Sequence, residues 1–423
     1  MRFLSKDRFR KPIVCGLFLV HLLCIAGCGG DRQSNGKAAE IPGVSDGEIL
    51  LGSSCALSGI AAFQGTEYIR GALTCFHDIN AQGGVHGRRI RLVTTDDAYS
   101  PARCVANTQQ LINEDRVFAL TCYLGTPTAV KIIPLVQEAH IPIVGLMTGA
   151  SALREPFKHC IVNIRASYFE ETEATVRHLV EDVGLSRFAV FYQYDAYGFD
   201  GLTGAGLALK RYGLEPVARA SYTRGTMDVS EAAEQIAASS AQAVIVVGTY
   251  GPAAKFIQLV KQRKADLIFH AVSFVGPEEL AEKLGSDAED VIITQVVPSP
   301  WETELLPAAA RYNRLLVKYF PGRKPSFAGF EGFINAVLLV EGLKRAGHDL
   351  SRERLIEAIE SIRQFDVGIA QPLDYGPKDH QGLKQVYFTR VKDGRFVPID
   401  DWQQIRRERP VPAVPNAAGG KTQ

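Results

Sequence analysis

The sequence predicts an α/β protein built from two doubly wound, Rossmann-like lobes. Short apolar stretches of strand length alternate with amphipathic helical stretches up to residue 164, and the same alternation starts again after Arg165. One stretch, Ala243–Val247, is apolar throughout, as is typical of a central strand in a parallel sheet. Two successive series of βα units therefore favour two sheets, each covered by helices on both faces.

Length and charge narrow the possible functions. The chain has 423 residues, and 47 Lys and Arg nearly balance 46 Asp and Glu, for a formal net charge of +1. The body of about 370 residues suits two domains. Because there is no long basic stripe, nucleic acid is not expected as a partner.

The amino terminus predicts export and a lipid anchor. Residues 1–11 are basic, residues 13–26 are apolar, and Ile25-Ala26-Gly27-Cys28 follows, which indicates a signal peptide over residues 1–27. The apolar stretch is too short for a comfortable membrane span. The last four residues resemble a bacterial lipobox, which makes Cys28 the lipidated residue; a plain signal peptide with a chance cysteine is the alternative. We expect a flexible tether over residues 28–45 and a disordered tail over 409–423.

Cysteine spacing leaves the redox state open. Of eight cysteines, five lie in the body beyond Cys28, and no C-x-x-C spacing typical of metal ligands occurs. A helix bearing Cys104 is predicted beside the strand that contains Cys122. The Cys104–Cys122 pair is therefore the candidate disulfide, with two buried free thiols as the alternative.

The stretch 121–128 organises the predicted site. Residues 116–120 predict a buried strand and residues 129–136 a helix, with Thr126 as N-cap and Pro127 at the first helical position. A strand leading into such a helix start presents free backbone N–H groups that suit a carboxylate. Similar arrangements follow Ser58 and Thr148. An ordinary strand–helix turn is the alternative interpretation.

Five short segments together resemble a known family. They are Ala56-Leu57-Ser58-Gly59 and the stretches 79–90, 96–101, 192–198 and 248–252, within a match from about residue 47 to residue 397. Their order and spacing are similar to those of type I periplasmic binding proteins, above all the leucine/isoleucine/valine-binding branch that serves ATP-driven importers. The resemblance implies two lobes, three chain crossings between them, and a ligand clamped in the cleft.

Candidate ligand-binding residues follow from that resemblance. Tyr197 and Tyr250 match second-lobe tyrosines that close over the ligand. Together with Thr126, the predicted ligand-binding residues are Ser58, Gln64, Tyr123, Leu124, Thr148, Gly149, Tyr197, Tyr250 and Ser273. Asp96 and Asp97 are interpreted as a solvated cap, and no metal site is predicted.

Two of these positions differ from the amino-acid binders of the family. Tyr123 and Leu124 stand where those proteins have a serine for the ligand carboxylate, and Ser273 stands where they keep an acidic residue for the ammonium group. An unpaired buried charge costs several kcal/mol, so an amine needs another acid, for which Glu331 is a candidate. The expected ligand is therefore a branched-chain amino acid-like solute or another small carboxylate.

The predicted function is binding rather than catalysis. The motifs G-x-S-x-G, H-E-x-x-H and G-x-x-x-x-G-K-[ST] do not occur, and no enzyme activity or cofactor is predicted. We expect an extracytoplasmic, lipid-anchored, monomeric solute-binding protein that closes on its ligand and delivers it to the membrane permease of an ABC importer. A ligand-sensing receptor and an enzyme on the same scaffold are the alternatives.

Domain boundaries complete the prediction. Lobe one is expected to comprise residues 46–164 and 300–372, and lobe two residues 165–299 and 373–400. The crossings are expected near residues 163–166, 295–300 and 371–374.

Overall fold

The structure is a computed structural model that describes residues 41–408. The predicted signal peptide, the lipidation site at Cys28, most of the tether and the predicted tail lie outside these residues. Within residues 41–408, no helix combines the length and apolar character needed to cross a membrane.

Helices and strands alternate along most of the described chain, as the sequence predicts. The strands are β1 (Glu48–Cys55), β2 (Arg89–Asp96), β3 (Ala119–Leu124), β4 (Ile143–Met147), β5 (Ile161–Val162), β6 (Phe188–Gln193), β7 (Ala218–Tyr222), β8 (Ala243–Val247), β9 (Ile268–Ala271), β10 (Ile292–Gln295), β11 (Tyr387–Lys392) and β12 (Arg395–Pro398). The helices are α1 (Ala62–Ala81), α2 (Pro101–Asn113), α3 (Thr126–Glu138), α4 (Tyr168–Glu181), α5 (Ala196–Lys210), α6 (Ser230–Ala238), α7 (Tyr250–Lys261), α8 (Pro277–Leu284), α9 (Pro307–Tyr319), α10 (Phe327–Ala346), α11 (Arg352–Glu360) and α12 (Trp402–Glu408).

Two separate sheets confirm the two-lobed α/β fold. Five parallel strands form the first sheet in the order β2-β1-β3-β4-β5, and α1, α2, α3 and α9 to α11 cover it to make lobe one. The second sheet has the order β12-β11-β10-β9-β8-β6-β7 and is covered by α4 to α8 to make lobe two. Its strands β11 and β12 are antiparallel additions joined through Asp393 and Gly394, both with positive φ, as a two-residue hairpin turn of this type requires.

The strand orders place the ligand-facing loops. In each sheet the order reverses between two neighbouring parallel strands, β1 and β3 in lobe one and β6 and β8 in lobe two. At such a switch point the loops beyond the carboxyl ends of the strands diverge and leave a crevice. The loops after these four strands lead into α1, α3, α5 and α7, which carry Gln64, Thr126, Tyr197 and Tyr250.

The third strand lies later than predicted. The predicted strand covers residues 116–120, whereas β3 covers Ala119–Leu124 and α3 begins at Thr126 with Gly125 as its N-cap. Gly125 has a φ of 93°, and the ring of Tyr99 packs so close that a side chain at position 125 would collide with it. Thr126 is therefore the first helical residue rather than the predicted N-cap.

The third chain crossing comes later than predicted. Leu373 forms an isolated bridge with Phe365, whose ring lies 5.8 Å from the Arg345 guanidinium of α10, so this stretch stays with lobe one. The chain passes between the lobes beside the first crossing, where the Leu383 backbone N–H donates to the Ile164 carbonyl at 2.7 Å. It then enters β11 of lobe two.

The predicted Cys104–Cys122 disulfide is wrong, because both thiols are free and buried. Successive residues of a strand point to opposite faces of the sheet. Cys122 packs with α1 residues such as Ala72 and Cys75, whereas Cys104 of α2 packs on the other face with Tyr123. Burial raises the pKa of Cys104 and of Cys122 to about 12 in each case.

Candidate ligand site between the two lobes

Two threonines meet at the carboxyl ends of β3 and β4. The Thr126 and Thr148 hydroxyl oxygens are 2.7 Å apart, and the Thr148 hydroxyl also accepts a hydrogen bond from the Ala150 backbone N–H at 3.2 Å. Both residues are buried. No side chain caps the amino end of α3, so its first backbone N–H groups remain available beside these hydroxyls. Hydroxyls and amide donors of this kind suit a carboxylate.

Aromatic rings from both lobes surround the hydroxyl pair. The Thr148 hydroxyl donates to the Tyr168 hydroxyl at 3.4 Å. The Tyr168 ring lies 5.2 Å from the Tyr197 ring, which meets Phe274 edge to face at 4.9 Å. Tyr99 of lobe one lies 6.0 Å from Phe274. An apolar wall therefore adjoins polar groups, which is the usual composition of a small-molecule site.

Gln64 and Tyr250 join the lobes at a second place. The Gln64 Nε2 atom donates to the Phe274 and Val275 carbonyl oxygens of lobe two, both at 3.3 Å, while its buried Oε1 atom has no partner among the described residues. The half-buried Tyr250 lies beside Gly276. Burial raises the pKa of Tyr250, and a hydrogen bond with the Phe63 backbone of lobe one opposes that rise.

A buried ion cluster lies beside the aromatic rings. Arg165, on the first crossing, contacts Glu171 of α4 at 3.1 Å, Glu331 of α10 at 3.4 Å and the Ser273 hydroxyl. The remaining Glu171 oxygen accepts from the Ser273 backbone N–H at 2.8 Å and from the Thr294 hydroxyl at 2.5 Å. The guanidinium also lies 5.8 Å from the Tyr168 ring.

Electrostatics hold this cluster together. Burial lowers the pKa of Arg165, but the carboxylates of Glu331 and Glu171 more than offset that effect and raise it. Burial raises the pKa of Glu331, and the Arg165 charge opposes the rise. Because Glu331 belongs to lobe one and Glu171 to lobe two, the guanidinium links the lobes through charge.

The predicted residues divide into two groups. Thr126, Thr148, Gly149, Tyr197, Gln64, Tyr250 and Ser273 all lie along the contact between the lobes; Gly149 accepts the Tyr168 backbone N–H at 2.9 Å. Ser58 is exposed, and its hydroxyl is held by Asp96 at 2.6 Å. The Leu124 side chain packs in the core. The roles of all these residues in ligand binding remain predictions.

Tyr123 is the clearest departure from the expected arrangement. Its hydroxyl lies 2.9 Å from that of Thr108 on α2, inside the core of lobe one. Because β3 extends to Leu124, position 123 is a strand residue whose side chain points to α2 rather than a loop residue at the crevice. Tyr123 is therefore not part of the proposed site.

Sequence reasoning missed Arg165, Glu171, Tyr168 and Phe274. Arg165 is not among the predicted site residues, although a charged residue between two apolar stretches is a usable signal. Phe274 directly follows the predicted Ser273, but nothing in its spacing marks it as lining the crevice. Glu331 was considered as a candidate acid, and the structure pairs it with Arg165.

Two cavities lie outside this group of residues. The larger, of 1090 Å³, is bounded by α4, the second crossing and Trp402 of α12. The smaller, of 400 Å³, adjoins the first and third crossings. Thr126, Thr148, Tyr197 and Phe274 line neither of them, so the closed contact between the lobes is distinct from both.

Comparison with known proteins agrees with this architecture. The model of the periplasmic binding protein family matches residues 48–395. A crystal structure of a possible leucine/isoleucine/valine-binding protein from Rhodopirellula baltica is 33% identical with a TM-score of 0.81, covering 87% of this chain and 99% of that chain.

Two curated relatives are more distant in sequence. An amino acid binding protein of Pseudomonas aeruginosa is 26% identical over 56% of this chain and 64% of that protein. The Leu/Ile/Val-binding protein homolog 7 of Brucella suis is 23% identical over 83% of this chain and 91% of that protein. The match to the family model and the extent of the structural similarity lead to one conclusion: the chain belongs to the periplasmic binding protein family.

Proposed function

We propose that this protein is an extracytoplasmic receptor that captures a small carboxylate-bearing solute and delivers it to the membrane permease of an ABC importer. The observation that carries the proposal is the hydroxyl pair of Thr126 and Thr148 at the amino end of α3, which bonds to Tyr168 of the opposite lobe. The Tyr168 ring in turn packs against Tyr197, which contacts Phe274. Hydroxyls and backbone N–H groups bind the anionic end, and the rings enclose the apolar part.

Closure between the lobes supplies the switch. Direct contacts already join the lobes, including Gln64 with the Phe274 carbonyl and Ser151 with Asp200 of α5. A solute stabilises this arrangement only as far as it binds the closed state better than the open one. Groups contributed by both lobes to one site provide that differential affinity.

The class of solute follows from the site and from the relatives. The names of the relatives refer to binding of amino acids and of leucine, isoleucine and valine. These names support a solute that carries a carboxylate and is about as large as those amino acids. Both acids of the ion cluster, Glu331 and Glu171, contact Arg165. A solute ammonium group would therefore compete with a guanidinium, and compounds with and without an amine need direct comparison.

Calorimetry with matched pairs tests the proposal. Leucine is compared with 4-methylpentanoate and phenylalanine with 3-phenylpropanoate, because each pair differs only in the amine. A true solute at about 100 times its dissociation constant stabilises the protein by about 2.7 kcal/mol. Recovery of the solute unchanged after incubation supports binding without turnover. Absence of binding by any carboxylate, together with binding of an uncharged solute, would contradict the proposal.

The lipid anchor has its own test. Cys28→Ser removes the predicted acylation site, and we expect the exported protein to move from the membrane fraction to the soluble fraction. Continued association of the variant with membranes would argue against lipidation at Cys28.

A further inference from the structure

The smaller cavity, here called the hinge cavity, has a cationic lining. Its 400 Å³ are bounded by residues 151–161 of lobe one, by Asn163 and Ser167 on the first crossing, and by residues 378–384 at the third crossing. Four cationic side chains line it, against two acidic ones, Glu155 and Asp379. The cations are Arg154, Lys158, Lys378 and Lys384.

Arg154 lines the hinge cavity and donates its hydrogen bonds to neutral acceptors. Its guanidinium donates to the Ala150 carbonyl at 2.9 Å, the Arg165 carbonyl at 2.9 Å and the Gln381 Oε1 atom at 2.8 Å. All three acceptors are neutral; the charges of Glu170 and Asp200 act on Arg154 from a longer distance and raise its pKa, without a direct hydrogen bond among the described residues. A guanidinium has five N–H donors, so donors remain for an anion. Burial and the nearby Arg165 charge lower the pKa of Arg154 to about 10.

Acidic side chains neutralise only part of the positive charge of the lysines at the rim of the cavity. Lys384 pairs with Asp379 at 3.2 Å, and Lys158 donates to the neutral Pro156 carbonyl at 2.7 Å. Lys378 is exposed and forms no ion pair within residues 41–408. His380 uses both ring nitrogens, on the Ile161 carbonyl and on Glu360, so it adds no donor to the cavity.

Asn163 supplies a second, independent observation. It is 2% exposed and lines the cavity, and its Nδ2 atom donates to the Leu153 carbonyl at 3.1 Å. That bond leaves Oδ1 as a buried acceptor without a partner among the described residues. A buried acceptor of this kind is costly unless a donor reaches it. The hydroxyl of a hydrogen phosphate ion is such a donor, whereas sulfate has none at neutral pH.

We propose that the hinge cavity is a binding site for a small oxyanion, with hydrogen phosphate preferred over sulfate. Arg154 and the lysines bind the anionic oxygens through charge-assisted hydrogen bonds, and Asn163 accepts the phosphate hydroxyl. The site is separate from the contact between Thr126, Thr148 and Tyr197, so the proposal stands whether or not the solute is a carboxylate.

Calorimetric titration of the whole protein with inorganic phosphate tests the site, with sulfate and chloride at matched ionic strength as parallel arms. We expect saturable binding of one phosphate, weaker binding of sulfate and no saturable binding of chloride. The variant Lys378→Gln with Lys384→Gln removes two exposed rim charges and should weaken phosphate binding by about tenfold or more, because each lysine loses a charge-assisted hydrogen bond to the anion.

A matched control separates a defined site from general charge effects. Lys131→Gln with Lys210→Gln makes the same change in net charge at two exposed positions that do not line the cavity, and phosphate affinity should stay unchanged. No saturable phosphate binding, or an equal loss in the control variant, would overturn the proposal. Sulfate binding as tightly as phosphate would overturn the role of Asn163. Arg154→Gln should also weaken phosphate binding; if this variant does not fold, the lysine variants still decide the outcome.

Discussion

The two ends of the contact between the lobes differ in the chemistry of their side chains. At one end the neutral hydroxyls of Thr126 and Thr148 bond to each other. At the other end Arg165 is held between two carboxylates, those of Glu171 and Glu331. Neutral hydroxyls can exchange one partner for a solute at little cost, whereas a buried charge cannot lose its partner. We infer that the hydroxyl end binds and the charged end holds the lobes in register.

The largest expected effect follows removal of the guanidinium. Arg165→Met leaves Glu171 and Glu331 buried without their cation, and loss of one partner of a buried pair costs about 3–5 kcal/mol. Urea denaturation should show that decrease in the free energy of unfolding.

A double-mutant cycle is the control for this prediction. Adding Glu331→Gln to Arg165→Met removes one of the stranded charges, so the double variant should be less destabilised than the sum of the two single variants. Strict additivity would show that the ion pair contributes no coupling, and the contrast between the two ends would lose its basis.

Glu278 offers a third case for the comparison. It is a carboxylate between the lobes that forms no ion pair with a cationic side chain among the described residues. It accepts the Phe327 backbone N–H of α10 at 2.7 Å, and its other oxygen has no partner among the described residues. Burial raises the pKa of Glu278 from 4.5 to about 7; the Phe327 bond opposes this, and the charges of Glu67 and Glu279 add to it.

The pH dependence follows from the direction of that shift. Between pH 4.5 and about 7 the folded protein keeps a proton on Glu278 that the unfolded chain has released, so the free energy of unfolding falls as the pH rises through this window. The loss should be about 1–3 kcal/mol. Glu278→Gln should reduce the pH dependence measured by urea denaturation. An unchanged profile in that variant would assign the dependence to other groups.

A smaller effect on stability, but a specific effect on binding, is expected at the hydroxyl end. Thr148→Val keeps the shape of the side chain and removes the hydroxyl that lies 2.7 Å from that of Thr126. We expect about 1 kcal/mol of lost stability and about tenfold weaker solute affinity by calorimetry. Thr148→Ser keeps the hydroxyl and should bind normally. Equal affinity in both variants would remove Thr148 from the site.

The smallest effect concerns the cysteines. Because the five described thiols are free, a reducing agent should leave the melting temperature unchanged. A native disulfide typically contributes about 2–4 kcal/mol, so a clear fall in melting temperature on reduction would show that a bridge forms after all.

Local sequence patterns predicted most helices and strands, but they did not predict towards which side of the sheet each residue points. The helix predicted to bear Cys104 is present as α2, because Pro101 starts it and its apolar spacing is regular. The strand containing Tyr123 was placed about three residues too early, since an apolar stretch with no turn signal does not mark where pairing with β1 and β4 begins. Tyr123 was predicted as a ligand contact from the family resemblance, and its position inside β3 instead places its side chain in the core of lobe one.

By itself, the sequence determined the alternation of strands and helices, the two lobes, the loop that holds Thr148 and the helix starts that carry Tyr197 and Tyr250, because periodicity and turn residues act over short distances. Only the tertiary structure decided which charges meet. Arg165 and Glu331 are 166 positions apart, and no local pattern relates them. Their pairing depends on how the crossing between the lobes meets α10, where burial makes an uncompensated charge too costly to persist.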